Sequence, residues 1–193
     1  MRDLIAALTF AFVGSVSPGP NNALLWASGM RFGFLRTVPH VLGTVLGIAS
    51  LLVVVAVGLG AVVRVAPHAE LVLKVAGSAY LLYVAYLVSG SGAIGRAASG
   101  GPLGIARGLL FQCTNPKAWV FAVAAVGTFL PHATPATTAP FVVVVVSVVG
   151  VSSTIWAAGG AALGRVVEDE RSLRIVSAVL AAMLVGSVVL IWI

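Results

Sequence analysis

Apolar segments long enough to cross a lipid bilayer recur along the whole chain. An α-helix needs about 20 apolar residues to span the ~30 Å hydrocarbon core of a bilayer, and it satisfies its own backbone groups there. Uninterrupted runs such as 141–149 lack the alternation of barrel strands. We therefore predict an all-α integral membrane protein with six transmembrane helices. The predicted spans are residues 4–26, 38–62, 70–89, 106–130, 140–163 and 173–193.

Charged side chains are too few for a water-soluble fold. They make up 8% of the 193 residues, against roughly 25% in soluble domains, while hydrophobic residues make up 60%. The net charge of +6 comes from Lys and Arg residues scattered at the ends of the apolar segments, and these residues form no basic stripe. The sequence therefore predicts one membrane domain over 1–193, with the lipid bilayer as its partner and no nucleic acid.

The two halves of the chain show signs of an internal repeat. A shift of about 100 residues brings residues 70–77 onto residues 170–177, with Glu, Leu and a basic residue in matching places. Three spans per half is an odd number, so the second half would insert upside down, which is the inverted-repeat plan of secondary transporters. Chance similarity between apolar segments is the alternative. The predicted units are a first three-helix repeat over 1–90, a linker over 91–105 and a second three-helix repeat over 106–193.

Basic residues lie mostly beside alternate connections. Cytoplasmic loops of membrane proteins carry an excess of Lys and Arg, so we predict that the first, third and fifth loops are cytoplasmic and that both termini face outward. A five-span variant with one re-entrant segment is the alternative. The residues on the predicted cytoplasmic side are Arg31, Arg36, Arg96, Arg107, Arg165, Arg171 and Arg174.

Two prolines interrupt the first predicted span. Proline removes a backbone donor and its ring clashes with a preceding carbonyl, so an unbroken helix is disfavoured. The freed carbonyl and amide groups must face protein, water or a solute, because lipid cannot bind them. We predict substrate binding at this break, with a structural kink as the alternative. The candidate residues are Ser17, Pro18, Gly19, Pro20, Asn21 and Asn22.

A matching break is predicted in the fourth span at residues 112–117, with Thr114, Asn115, Pro116 and Lys117 as the candidate substrate-binding residues. Lys117 would lie about 16 Å along this span at 1.5 Å per residue, near the bilayer centre. A cation at that depth is costly unless it faces a cavity or a partner, so we predict that Lys117 attracts a substrate carboxylate or exchanges a proton. Snorkelling toward the interface, or pairing with freed carbonyls, is the alternative.

Acidic residues are confined to the ends of the predicted spans, so no carboxylate is expected at mid-membrane. A proton-coupled transporter with this sequence would have to use Lys117, His40, Asp3 or the substrate itself as the proton carrier. For His40, a hydrogen-bonded residue near the interface is the ordinary alternative.

Glycines recur at four-residue spacing in or beside three of the predicted spans. Small residues at this spacing let two helices approach closely. We therefore predict that these glycines pack helices together and bind no ligand. The pairs are Gly43 and Gly47, Gly104 and Gly108, and Gly160 and Gly164.

Motifs lie at residues 18–22 and 27–33, at Gly43 with Gly47, at residues 74–81, and at Asn115 to Lys117. Together they resemble one family, the lysine exporter and homoserine/threonine exporter (LysE/RhtB) family of bacterial amino-acid efflux proteins. Asn21 and Asn22, with residues 127–131, are most similar to its cysteine/O-acetylserine exporter branch. Many members carry an acid after the proline motif, where this chain has Asn21, so the resemblance implies no coupling role for that position.

The resemblance implies export of amino acids or small derivatives across the inner membrane, driven by the proton gradient. Polar side chains at the two breaks would bind the zwitterion in an alternating-access cycle. No nucleophile, base and oxyanion set or metal-ligand cluster is visible, so we predict no enzyme activity, no cofactor and no metal site. The alternatives are a metal or ion exporter and a membrane thiol or electron-transfer protein, although the lone Cys113 disfavours the latter. A homodimer is left open.

Overall fold

The computed structural model describes residues 2–59, 101–130 and 132–166, together with isolated helical positions between 71 and 86 and between 174 and 189. The continuous stretches form α-helices and short connections, and they contain no strand. The helices are α1 (Arg2–Val16), α2 (Pro20–Phe32), α3 (Phe34–Val54), α4 (Ile105–Thr114), α5 (Pro116–Phe129) and α6 (Pro135–Leu163). A π-helical turn, Val55–Leu59, continues α3.

Two of the described helices are long and apolar enough to cross a bilayer, and the helical membrane fold is confirmed to that extent. They are α3 with its π-helical turn (Phe34–Gly58, 25 residues) and α6 (29 residues). The pair α1 and α2, bent by 60° at their junction, makes a third span if the two are counted as one. The predicted spans 70–89 and 173–193 lie outside the described residues, apart from the isolated helical positions.

Helix α6 begins at Pro135, earlier than the predicted start at residue 140. Thr134 is its N-cap: the Thr134 hydroxyl accepts from the Thr137 backbone N–H, and the Thr137 hydroxyl accepts from the Thr134 N–H. Such a capping box satisfies two of the free amides of a first turn, and proline suits the first helical position. The prediction started at the apolar run and so missed this polar first turn.

Helices α2 and α6 touch backbone to backbone and run in the same direction. A Cβ added at Gly160 would collide with the carbonyl of Trp26, and one at Gly164 with the carbonyl of Met30. On the α2 side, a Cβ at Gly29 would collide with the backbone of α6. The predicted packing role is confirmed for Gly160 and Gly164.

Helices α3 and α4 also run in the same direction and pack closely. A Cβ at Gly43 would collide with the Ile105 carbonyl and lie 3.0 Å from the Gly108 Cα, and one at Gly47 would lie 2.7 Å from the Gln112 Cβ. The same prediction is therefore confirmed for Gly43, Gly47 and Gly108. A Cβ at Gly104 would have no neighbour within 4 Å among the described residues, so the prediction is not confirmed there.

The main buried core lies where α1, α3, α5 and α6 meet. Each helix supplies small or branched apolar side chains, among them Ala11, Leu52, Ala122 and Val145, which are at most 1% exposed. Near the end of α1, Gly14 faces the ring of Phe121 in α5, and that ring packs against this core. The end of α1, where the first break begins, therefore lies beside the core.

Candidate functional site

The first break separates α1 from α2 at Ser17–Gly19. Gly19 is extended (φ −175°, ψ 172°) and Pro20 opens α2 as its first residue. The break leaves the last carbonyls of α1 without intrahelical partners. Asn22 satisfies one of them, because its Nδ2 donates to Ser15 O at 2.7 Å, and it also donates to Ser17 O in the break at 2.9 Å.

The second break separates α4 from α5 at a single residue, Asn115, whose backbone is extended (φ −87°, ψ 108°). Its side-chain Oδ1 accepts from the backbone N–H of Lys117 at 3.2 Å, which caps the N-terminus of α5. Pro116 occupies the first position of α5, where its missing N–H costs nothing. The sequence Asn115-Pro116 therefore determines both the end of α4 and the start of α5.

Lys117 joins the two breaks. Its Nζ donates to Ser17 O at 2.8 Å, to Ser17 Oγ at 2.8 Å and to Pro18 O at 2.7 Å. An ammonium group has three protons, so all of its donors are occupied. Snorkelling or pairing with freed carbonyls was the alternative predicted for Lys117 from the sequence. The structure shows the pairing, and this pairing brings the two breaks together.

A cavity lies where the breaks meet, with about 440 Å³ of empty space counting its opening. None of its described lining residues is acidic. Several apolar ones, including Ile48, Ala118 and Val149, belong to the main core. The lining comprises Gly14, Ser15, Gly19, Pro20, Asn21, Asn22, Thr44, Ile48, Gln112, Asn115, Lys117, Ala118, Phe121, Val149 and Ser153.

The predicted site residues fall into two groups. Gly19, Pro20, Asn21, Asn22, Asn115 and Lys117 line the cavity. Ser17 and Pro18 lie behind it as acceptors for Lys117, while Pro116 begins α5. Thr114 is exposed, and its hydroxyl donates to Phe111 O of its own helix at 3.0 Å.

The two other predicted proton carriers, His40 and Asp3, are not among the described residues that line the cavity. His40 is fully buried on α3, and neither ring nitrogen has a partner among the residues that the structure describes. Its carbonyl is one of two acceptors for the Thr44 hydroxyl (3.0 Å), the other being Asn21 Oδ1 at 3.1 Å. The side chain of Asp3 lies outside the described residues.

Three polar lining residues were not among the predicted substrate-binding residues, although Gln112 lay within the predicted break at 112–117. Thr44 comes from α3, Gln112 from α4 and Ser153 from α6, and each is at most 2% exposed. Gln112 is the single glutamine of the chain and stands in an apolar segment, which was the one available signal. Ser and Thr residues are common in membrane helices, so nothing in the sequence indicated that Thr44 and Ser153 belong to the site.

Replacing Asn22 tests how far the first break depends on its amide. Asn22→Leu keeps the size of the side chain but removes the amide donor to Ser15 O and one of the two donors to Ser17 O, the other being Lys117 Nζ. Since a hydrogen bond contributes about 0.5–1.5 kcal/mol, we expect a loss of roughly 2 kcal/mol, measured as a lower thermal midpoint in detergent. Ser147→Ala, which removes an exposed hydroxyl on α6, is the control and should not shift it. An unchanged midpoint in Asn22→Leu would contradict this role.

Comparison with known proteins finds a family of membrane translocators and relatives named as efflux proteins. The matching family model, LysE type translocator, covers residues 12–192. A cysteine/O-acetylserine efflux protein of Shigella flexneri is 27% identical over 180 residues, 92% of this chain and 92% of that protein. Its namesake from Klebsiella pneumoniae is 28% identical over 125 residues, 65% of this chain and just under two thirds (64%) of that protein. No solved structure matches. The chain is a membrane transport protein that belongs to the LysE type translocator family, as its motifs predict.

Proposed function

We propose that this protein exports small amino acids with uncharged side chains, or their derivatives, across the inner membrane by alternating access. The observation that carries the proposal is the cavity at the meeting point of two broken helices, lined by amides and hydroxyls. Broken helices present free backbone groups and dipole ends to a solute, which is how many transporters bind charged groups at mid-membrane. Two relatives of the chain are named for efflux of cysteine and O-acetylserine.

The lining favours a substrate with a short, neutral side chain. A cationic side chain would require an acidic partner, and the described lining residues include none. Ile48, Phe121 and Val149 offer apolar surface for a side chain instead. The ammonium and carboxylate groups of a zwitterion would then contact the amides and hydroxyls.

Helix directions support six spans arranged as two inverted repeats. If α3 and the α4–α5 pair both cross the bilayer, their shared direction requires an odd number of crossings within residues 60–104, where the third span is predicted. Helices α1 and α5 run in opposite directions, because Phe10 contacts Phe129 near the end of α5 whereas Gly14, later in α1, faces Phe121. Opposite directions of the first and fourth spans are expected of inverted repeats. We keep the division into 1–90, 91–105 and 106–193.

The proposed orientation is tested by cysteine accessibility. In a Cys113→Ser background, single cysteines at positions 31, 96 and 171 should react with a membrane-impermeant maleimide only after the cells are permeabilised, because these loops are proposed to be cytoplasmic. Labelling of all three sites in intact cells would contradict the orientation.

Export is tested in cells fed dipeptides that release cysteine, serine or lysine. Expression of the chain should raise external cysteine or serine several-fold over empty-vector cells and leave lysine unchanged. Collapse of the proton gradient should remove this difference if transport is proton-coupled through Lys117, His40, Asp3 or the substrate. If external cysteine, serine and lysine each reach the same level in expressing cells and in empty-vector cells, the proposal is rejected.

A further inference from the structure

Beyond the residues at the two breaks, we infer that Gln112 is the anchor for the carboxylate of the transported amino acid. This inference rests on the proposed function, because it assigns an orientation to a solute in the same cavity. Gln112 lies on α4, lines the cavity and is 1% exposed. Its Nε2 is buried and has no hydrogen-bond partner among the described residues.

The orientation of the Gln112 amide follows from a chain of hydrogen bonds. The backbone N–H of Lys117 can only donate, so the Asn115 side-chain atom that it contacts at 3.2 Å is the oxygen Oδ1. The Asn115 Nδ2 is then a donor, and its partner at 3.2 Å on Gln112 is the acceptor Oε1. The other end of the Gln112 amide is therefore its NH2 group, whose two N–H donors have no acceptor among the described residues.

A carboxylate fits these donors better than the other polar groups of an amino acid. Two N–H donors on one atom match an oxygen-rich anion, whereas a substrate ammonium would repel them. The first turn of α2, with Pro20, Asn21 and Asn22, lines the same cavity, and the positive end of a helix dipole favours an anion. Lys117 has no free donor here, since its three protons bind Ser17 and Pro18.

The inference is tested by ligand-induced thermal stabilisation of purified protein under reducing conditions. L-cysteine and L-cysteinamide differ in the carboxylate, which the amide lacks. The wild type should bind L-cysteine and discriminate against L-cysteinamide. Gln112→Glu places a carboxylate opposite the substrate and should invert this preference, because the cationic amide then gains an attractive partner. Gln112→Met should weaken L-cysteine binding at least about tenfold without gaining L-cysteinamide binding.

Each outcome separates the carboxylate anchor from the proposed function. If wild type shows the preference and Gln112→Glu keeps it, Gln112 does not hold the carboxylate, although the amino-acid site stands. If Gln112→Glu does not fold, Gln112→Met decides, and unchanged L-cysteine affinity in that variant overturns the inference. If wild type binds none of L-cysteine, L-serine and O-acetyl-L-serine, the proposed function fails together with the inference. If wild type binds L-cysteine and L-cysteinamide equally well, the inference alone fails. An inverted preference in Gln112→Glu and weakened L-cysteine binding in Gln112→Met, with Ser147→Ala unchanged, support the carboxylate anchor.

Discussion

Lys117→Met is expected to lower amino-acid efflux at least about tenfold and also to lower the thermal midpoint of the protein. The Lys117 ammonium is the direct polar link between the two helix breaks, through Ser17 and Pro18. Methionine would remove three hydrogen bonds from a charged donor, although Ser17 O keeps its bond from Asn22 Nδ2. Each hydrogen bond of a charged group contributes about 1.5–3 kcal/mol. The desolvation cost of the ammonium offsets part of that loss. Efflux assays and thermal unfolding in detergent measure the two effects.

The effect on stability differs from what an isolated span would suggest. From the sequence alone, an apolar residue at mid-membrane eases insertion, so replacement of Lys117 would be expected to leave stability unchanged. The three contacts of the ammonium reverse that expectation. Arg107→Met, which removes an exposed cation from α4, is the matched control and should behave as wild type. Normal efflux in Lys117→Met would remove the link between the breaks from the transport cycle.

Gly29→Ala and Gly160→Ala are expected to cause the largest losses of stability. Either Cβ would enter the backbone of the facing helix, Gly29 against Ala157 and Gly160 against Trp26, where no side chain can move aside. Helices α2 and α6 would have to separate, and overpacking of this kind costs about 1–3 kcal/mol or more. The measurements are membrane abundance and the thermal midpoint of purified protein.

Gly127→Ala makes the same chemical change where there is room for it. A Cβ at Gly127 has no neighbour within 4 Å among the described residues, and the position lies inside α5. Alanine is favoured over glycine in a helix by roughly 0.5–1 kcal/mol, so this variant should equal or exceed the wild type in stability. If all three variants were equally stable, the close contact of α2 with α6 would be contradicted.

The helix breaks were predictable because their causes are local. Pro18 and Pro20, and Pro116 after Asn115, disrupt a helix whatever surrounds them. The presence of long apolar helices followed in the same way from segment length and from the scarcity of charges. The family followed from motifs spread over most of the chain.

The partners of the polar side chains could not be predicted, because they depend on which helices meet. Lys117 contacts Ser17 across 100 positions of sequence. Thr44 reaches Asn21 only because α3 packs against α2. The role of Gln112 depends on the cap that Asn115 forms on α5. Spacing within one segment carries no information about such contacts.

Counterflow in proteoliposomes tests the central claim, that the cavity between the two breaks carries amino acids across the membrane. Vesicles containing purified protein are loaded with excess unlabelled L-cysteine and placed in a trace of labelled L-cysteine under reducing conditions. The account predicts transient accumulation of label above its equilibrium level in wild type, and none in Lys117→Met. Label that enters no faster than in protein-free vesicles, with L-cysteine, L-serine and O-acetyl-L-serine alike, would contradict it.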